Sequence, residues 1–244
     1  MAGKPDGSDP LSVAKAAGRR MLGNDAASLW MLGDGVACFE LHTKMNSFAP
    51  AAFDILEQTI ARGGQDFRAL VLGNNDPRAF SAGADLGFIL GMLRDDEADA
   101  LDRYIARGQS LFLALKYAPF PVVAAAHGFA LGGGCEFMLH ADAVVAHAEL
   151  TAGLPESKVG LVPAWGGCTQ LLARAQKAGD GPKGPVASAL QAFSAILPGA
   201  VSGSARQAAR MGLLRSSDEP WPMRDIARPI LCRSRSADHP RRPP

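Results

Sequence analysis

The 244 residues contain only four cysteines (Cys38, Cys135, Cys168, Cys232), widely scattered and without the paired spacing of a metal-binding knuckle. Scattered single cysteines are expected to be reduced thiols in a cytoplasmic protein, and no metal site is expected. An excess of either charge is also missing. Twenty-five basic and 24 acidic side chains leave a formal charge of +1, so no global field exists to attract nucleic acid or an anionic membrane. A long apolar run is lacking as well: the most apolar stretch, 121–139, is interrupted by His127, several glycines and Glu136. The opening MAGKPDGSDP has no apolar core and is not expected to be a signal peptide. The glycine-rich stretch 125–136 has neither the Gly spacing of a dinucleotide fold nor the Lys-Ser/Thr of a P-loop.

The chain that remains is 48% apolar and 20% charged, and long enough for one domain with a sizeable core. Residues 1–27 read as a flexible lead-in with one short stretch that favours helix. Residues 28–218 read as the folded domain. Within it, Leu29–Leu32 and Val36–Leu41 predict two strands joined at Asp34-Gly35. Apolar residues at helical intervals predict helices over 51–62 and 95–117, and over 135–141. The runs 68–73, 121–126 and 142–146 predict buried strands. Strands alternating with helices indicate an α/β domain of repeated strand–strand–helix or strand–helix units. Residues 176–185 predict a loop, and 185–214 helix in pieces, broken at Pro198-Gly199. From Glu219 to Pro244 there are six Arg and six Pro in 26 residues, and disorder is expected there.

Three segments carry chemistry. In Ala79–Leu86 (AFSAGADL) small residues let backbone amides approach a ligand, although a tight turn would use the same residues. In Ala125–Glu136 (AAHGFALGGGCE) three glycines stand between a strand and a helix. They leave amide hydrogens unshielded at the positive end of the helix dipole, and Glu136 falls one turn inside. In Ala152–Pro163 (AGLPESKVGLVP) a charged Glu156 sits after a proline among apolar and glycine residues, where it needs a partner or a task.

Together these segments, from about Ser28 to Arg174, resemble the crotonase (enoyl-CoA hydratase/isomerase) superfamily. LSVAKAAGRR and VSGSARQAARMGLLRSSD further resemble the hydratase-like portion of large bacterial 3-hydroxyacyl-CoA dehydrogenases. The resemblance implies a crotonase (ClpP-like) α/β spiral of repeated ββα units with a shortened C-terminal helical region. It implies an oxyanion hole formed by the backbone N–H groups of Ala82 and Gly133, and a catalytic pair, Glu136 and Glu156, twenty residues apart. Substrate contacts are implied for Ala82, Gly83, Ala84 and Asp85, for Gly132 and Gly133, and more loosely for Lys44 and Asn46. Trp165 is expected either in the core or as a wall of the acyl pocket.

The implied activity is hydration of a 2-enoyl-CoA in fatty-acid β-oxidation, with coenzyme A as part of the substrate and no further cofactor. Isomerisation by the same site remains open, as does a non-catalytic acyl-CoA-binding remnant. A Ser81/His127 hydrolase is the third rival. Implied partners are an acyl-CoA thioester, further copies of the chain in a trimer or hexamer, and a 3-hydroxyacyl-CoA dehydrogenase.

Overall fold

A computed structural model describes residues 9–177 and 184–221. The chain begins with helix α1 (Pro10–Ala16), which has Pro10 in its first turn. The Asp9 carboxylate caps it by accepting from Ser12 N–H at 2.9 Å. Leu11 and Ala14 are buried. Strand β1 (Arg20–Gly23) then pairs antiparallel with β2 (Ala27–Gly33). The lead-in expected up to residue 27 is therefore part of the fold from Asp9 onward, because the amphipathic α1 buries two side chains and β1 completes the sheet edge.

Strand β3 (Val36–Leu41) returns from β2 through Asp34-Gly35, both at positive φ (49° and 71°), as a tight hairpin requires. A 3-10 turn at Lys44–Asn46 leads to α2 (Pro50–Arg62), β4 (Ala69–Leu72), β5 (Ala79–Ser81), α3 (Leu86–Arg94) and α4 (Ala98–Lys116). Next come β6 (Val122–Ala126), β7 (Phe129–Leu131), α5 (Gly133–Leu139), β8 (Ala143–His147) and β9 (Thr151–Gly153). After a second 3-10 turn at Glu156–Val159 follow α6 (Gly167–Lys177), α7 (Pro185–Ile196), α8 (Ala205–Arg210) and β10 (Glu219–Trp221).

Two sheets organise these elements. The large one runs β1-β2-β3-β4-β6-β8-β10, parallel from β3 onward, and the small one runs β5-β7-β9, all parallel. Successive units (β4, β5, α3/α4; β6, β7, α5; β8, β9, α6) each give one strand to either sheet and then a helix. That is the expected ββα spiral. Its effect is to line up the ends of β5, β7 and β9, so that the three chemistry-bearing segments emerge side by side.

An aromatic cluster fixes the helices behind that edge. Phe48, Phe53, Phe112, Phe137 and Trp165 pack edge-to-face with centroids 5.0–5.8 Å apart. Each such contact contributes about 0.5–1.5 kcal/mol beyond the area it buries.

At the other end the expected disorder from Glu219 is corrected for three residues: Glu219–Trp221 add a parallel strand to β8. Buried Asp218 pins that strand, accepting from Val144 N–H at 2.9 Å and Arg215 N–H at 2.7 Å. Residues 222–244, the rest of the predicted tail, lie outside the described residues. Of the loop predicted over 176–185, Gln176 and Lys177 continue α6, Pro185 opens α7, and 178–183 lie outside the described residues.

Candidate active site

The site forms where the β5–α3 loop lies against the N-terminus of α5. Gly83 makes this contact possible: its φ is +90°, and a Cβ there would stand 2.7 Å from the Gly133 nitrogen and 3.1 Å from that of Gly134. A side chain at this position would hold the loop and helix apart. A Cβ on Gly133 would in turn fall 3.3 Å from the Ala84 nitrogen, so the Ala84 and Gly133 amides are neighbours. Neither amide makes a hydrogen bond among the described residues.

This corrects the expectation for Ala82. Its N–H donates to the Met45 carbonyl at 3.0 Å and is not available to a ligand. The carbonyl is placed there by the turn of Lys44–Asn46, in which Met45 and Asn46 both have positive φ (56° and 52°). The free donor of the loop is two residues later, at Ala84.

Glu136 lies in the first turn of α5 and is 2% exposed. Its Oε1 accepts from Trp165 N–H and Gly167 N–H, both at 2.8 Å, so the Trp165-Gly166-Gly167 turn locks the carboxyl group. His140, one turn on, donates from Nδ1 to the Glu136 carbonyl at 2.7 Å. Burial holds its ring neutral, with a pKa down to about 4.

Glu156 starts the 3-10 turn after β9 and faces the Gly132 corner, where a Cβ would stand 3.2 Å from its Oε1. Both Glu156 carboxylate oxygens are buried, and neither has a hydrogen-bond partner among the described residues. Burial lifts its pKa to about 7. Burial also lifts Glu136, to about 8, with the charge of nearby Glu156 adding to it and the two backbone N–H bonds opposing it. Both carboxyl groups thus hold their protons well above the ordinary carboxylate range, and the pair titrates as a unit.

Other predicted contacts fall elsewhere. Asp85 caps α3, accepting from Gly87 N–H at 3.0 Å and Phe88 N–H at 3.2 Å. Asn46 is 2% exposed and donates to the Ala79 carbonyl at 2.7 Å, so it builds the turn and faces no ligand; Lys44 beside it is exposed. The Trp165 side chain is 3% exposed in the aromatic cluster and backs Gly133, which settles its two readings in favour of the core. What Trp165 offers the site is its main-chain N–H, a role that side-chain identity does not signal.

Ser81 and His127 form no pair. The Ser81 hydroxyl donates to the Asn46 carbonyl at 2.7 Å and accepts from Gly83 N–H at 3.1 Å. His127 Nε2 lies 2.6 Å from the Asp76 carbonyl. The hydrolase reading ends there.

Among the described residues no group of three or more His, Cys, Asp or Glu is arranged to hold a metal, and no helix is long and apolar enough to cross a membrane. The arrangement that exists is two free amides at a helix N-terminus facing two protonatable carboxyl groups. It can stabilise an oxyanion while moving a proton.

Comparison with known proteins identifies the family and the fold. The family model described as enoyl-CoA hydratase/isomerase matches residues 32–179. The chain belongs to this family. It is 36% identical over 196 residues to a probable 3-hydroxyacyl-CoA dehydrogenase of Bacillus subtilis, covering 80% of this chain and 24% of that protein. It is 38% identical over 159 residues to a putative fatty acid oxidation complex trifunctional enzyme of Rickettsia felis, covering 64% and 21%. The chain thus spans about a quarter of the length of these curated relatives. The enoyl-CoA hydratase of Bacillus anthracis shares its fold, with a TM-score of 0.72 at 24% identity over 86% of this chain and 76% of that one. So does one from Geobacillus kaustophilus, with a TM-score of 0.73 at 22% identity over 88% and 75%.

Proposed function

We propose that the chain hydrates a 2-enoyl-CoA to the 3-hydroxyacyl-CoA. The observation that carries this reading is the Glu156 carboxyl group, buried with both oxygens unpartnered beside Glu136 and the two free amides. A buried carboxylate left without a partner is costly unless a ligand completes it.

In the reaction the thioester oxygen sits between Ala84 N–H and Gly133 N–H. These donors drain charge from the conjugated double bond and make Cβ electrophilic. The water is held by Glu136, whose locked Oε1 leaves Oε2 to meet it. As the water oxygen bonds to Cβ, its proton passes to the ionised member of the pair, and the negative charge moves to the thioester oxygen as an enolate. Collapse of the enolate takes a proton at Cα, delivered from the Glu156 side. One carboxyl must be ionised and one protonated at the start, and raised, separated pKa values provide that state near neutrality.

No cofactor beyond the CoA of the substrate is required by this balance. The product is a secondary alcohol at C3, the substrate class named in the dehydrogenase relative, which supports a partnership with such an oxidation. Further copies of the chain, in a trimer or hexamer, belong to the same proposal.

The test is a crotonyl-CoA hydration assay on the full chain, with 3-enoyl-CoA isomerisation measured in parallel for Glu136→Gln. Hydration that collapses in the variant supports the proposal. Isomerisation that survives the substitution, without hydration by the wild type, replaces it with the isomerase. Binding of acetoacetyl-CoA with neither turnover leaves only the acyl-CoA-binding remnant.

A further inference from the structure

At the opposite end of α5 lies a cavity of about 820 Å³ that takes no part in this chemistry. It opens between the C-terminal ends of α4, α6 and α8 and one side of α7. Among the described residues five cationic ones line it (Lys116, Arg174, Lys177, Arg210 and Arg215), and no Asp or Glu does. The volume suits a small organic ligand.

Arg174 shows that this is more than a solvated basic face. Its guanidinium donates to the carbonyls of Leu213 at 2.9 Å and Leu139 at 3.2 Å, and its Nε is buried without a partner. Arg215 stands nearby, donating to the carbonyls of Asp142 and Ala141. The nearest acid, Asp218, is 4.0 Å from Arg215 and already accepts from two backbone amides. Burial, then repulsion from Arg215, brings the Arg174 pKa down to about 10. Arg174 and Arg215 thus both line the cavity, and among the described residues the one ion pair either makes is that of Arg215 with Asp218. Among the described residues Lys177 and Arg210 have no ion-pair partner, and both are exposed at the rim.

We propose that this cavity is a second binding site, for a small molecule carrying a phosphoryl group. The phosphoryl oxygens accept from the exposed rim cations Lys177 and Arg210, and the charge of Arg174 behind them adds to the attraction. The apolar remainder of the ligand rests on Ala192, Leu214 and their neighbours.

Calorimetric titration of the full chain with inorganic pyrophosphate at fixed ionic strength tests this. Saturable binding is expected, weakened about tenfold in Lys177→Ala/Arg210→Ala, which removes two rim charges and no structural bond. Arg174→Gln is expected to weaken it further, but that variant also disturbs two carbonyl contacts. The double variant therefore decides whether the site is real. A parallel titration with adenosine 3′,5′-bisphosphate separates a nucleotide ligand, which binds tighter than pyrophosphate, from a bare phosphoryl group, which does not. Absence of saturable binding, or binding unchanged in the double variant, overturns the proposal.

Discussion

Glu40 and Glu156 are both buried carboxylates, and the fold treats them in opposite ways. Glu40, on β3, is paired with Lys15 from α1 and accepts from the Trp30 indole N–H at 2.8 Å, so each oxygen has a partner. Glu156 has a partner for neither oxygen. The first belongs to the framework that ties the N-terminal helix to the sheet. The second lies buried against the Gly132 corner, without a hydrogen-bond partner among the described residues. A buried charge that is satisfied reads as architecture; one that is left bare marks the place where a ligand is expected.

Substitutions make this contrast measurable. The largest effect is expected from Glu156→Gln, which should cut kcat for crotonyl-CoA hydration by about 10³-fold, within the range for a lost general acid–base group. Its melting temperature should hold or rise, since the amide carries no charge to desolvate; a clear fall in Tm would place Glu156 with Glu40 as a structural group. Gly133→Ala should lower kcat/KM by roughly 10²-fold, because the added methyl group presses on the Trp165 ring and the Ala84 amide. Near-normal kinetics in that variant would remove the oxyanion role of this corner.

Glu40→Gln should do the reverse. Stability should fall by roughly 2–3 kcal/mol, somewhat under the usual loss for a broken buried pair because Lys15 is 34% exposed. The per-molecule kcat should be unchanged, and a kinetic defect would blur the distinction between the two carboxylates.

The pH dependence has a definite sign. Folded-state pKa values of about 7 and 8, raised above the ordinary carboxylate value, mean that the native state holds protons the unfolded chain has lost. This stabilising contribution is complete below about pH 4.5 and drains away as pH rises through 7 to 8. Urea unfolding from pH 5 to 9 should show a steeper loss for the wild type than for Glu156→Gln. Parallel curves would show that Glu156 titrates as an ordinary carboxylate. Smallest of all is Asp85→Ala, expected to cost about 1 kcal/mol as a lost helix cap with KM unchanged. A raised KM would return Asp85 to the ligand.

Much of the fold was legible in the sequence because five strands of the large sheet, β2, β3, β4, β6 and β8, are largely apolar runs of four to seven residues. The small sheet was not. Its strands, Ala79–Ser81, Phe129–Leu131 and Thr151–Gly153, are three residues long and composed partly of small residues, too short for any period to show. In the α1–β1 segment a short helical stretch was expected, but its docking and strand β1 were not, for a related reason: two buried side chains in seven residues leave a faint amphipathic trace.

Local pattern singled out the segments that hold Gly133, Glu136 and Glu156, and the family resemblance then assigned those residues their roles. The second amide could not. Nothing local in AFSAGAD distinguishes Ala82 from Ala84 as the free donor; the choice is made by a carbonyl 37 residues upstream, at Met45, held by two residues at positive φ. Long-range occupancy of a backbone amide leaves no mark on the residues beside it. The locking of Glu136 by the main chain of Trp165 and Gly167 is invisible to sequence on the same ground.

In the proposed reaction the amides of Ala84 and Gly133 converge on one thioester oxygen. The carbonyl resonance of butyryl-CoA, ¹³C-labelled at the thioester carbon and too saturated to turn over, tests this directly by NMR on the full chain. The account predicts a downfield shift on binding that Gly133→Ala diminishes. A bound ligand whose carbonyl resonance stays at its free position would contradict it.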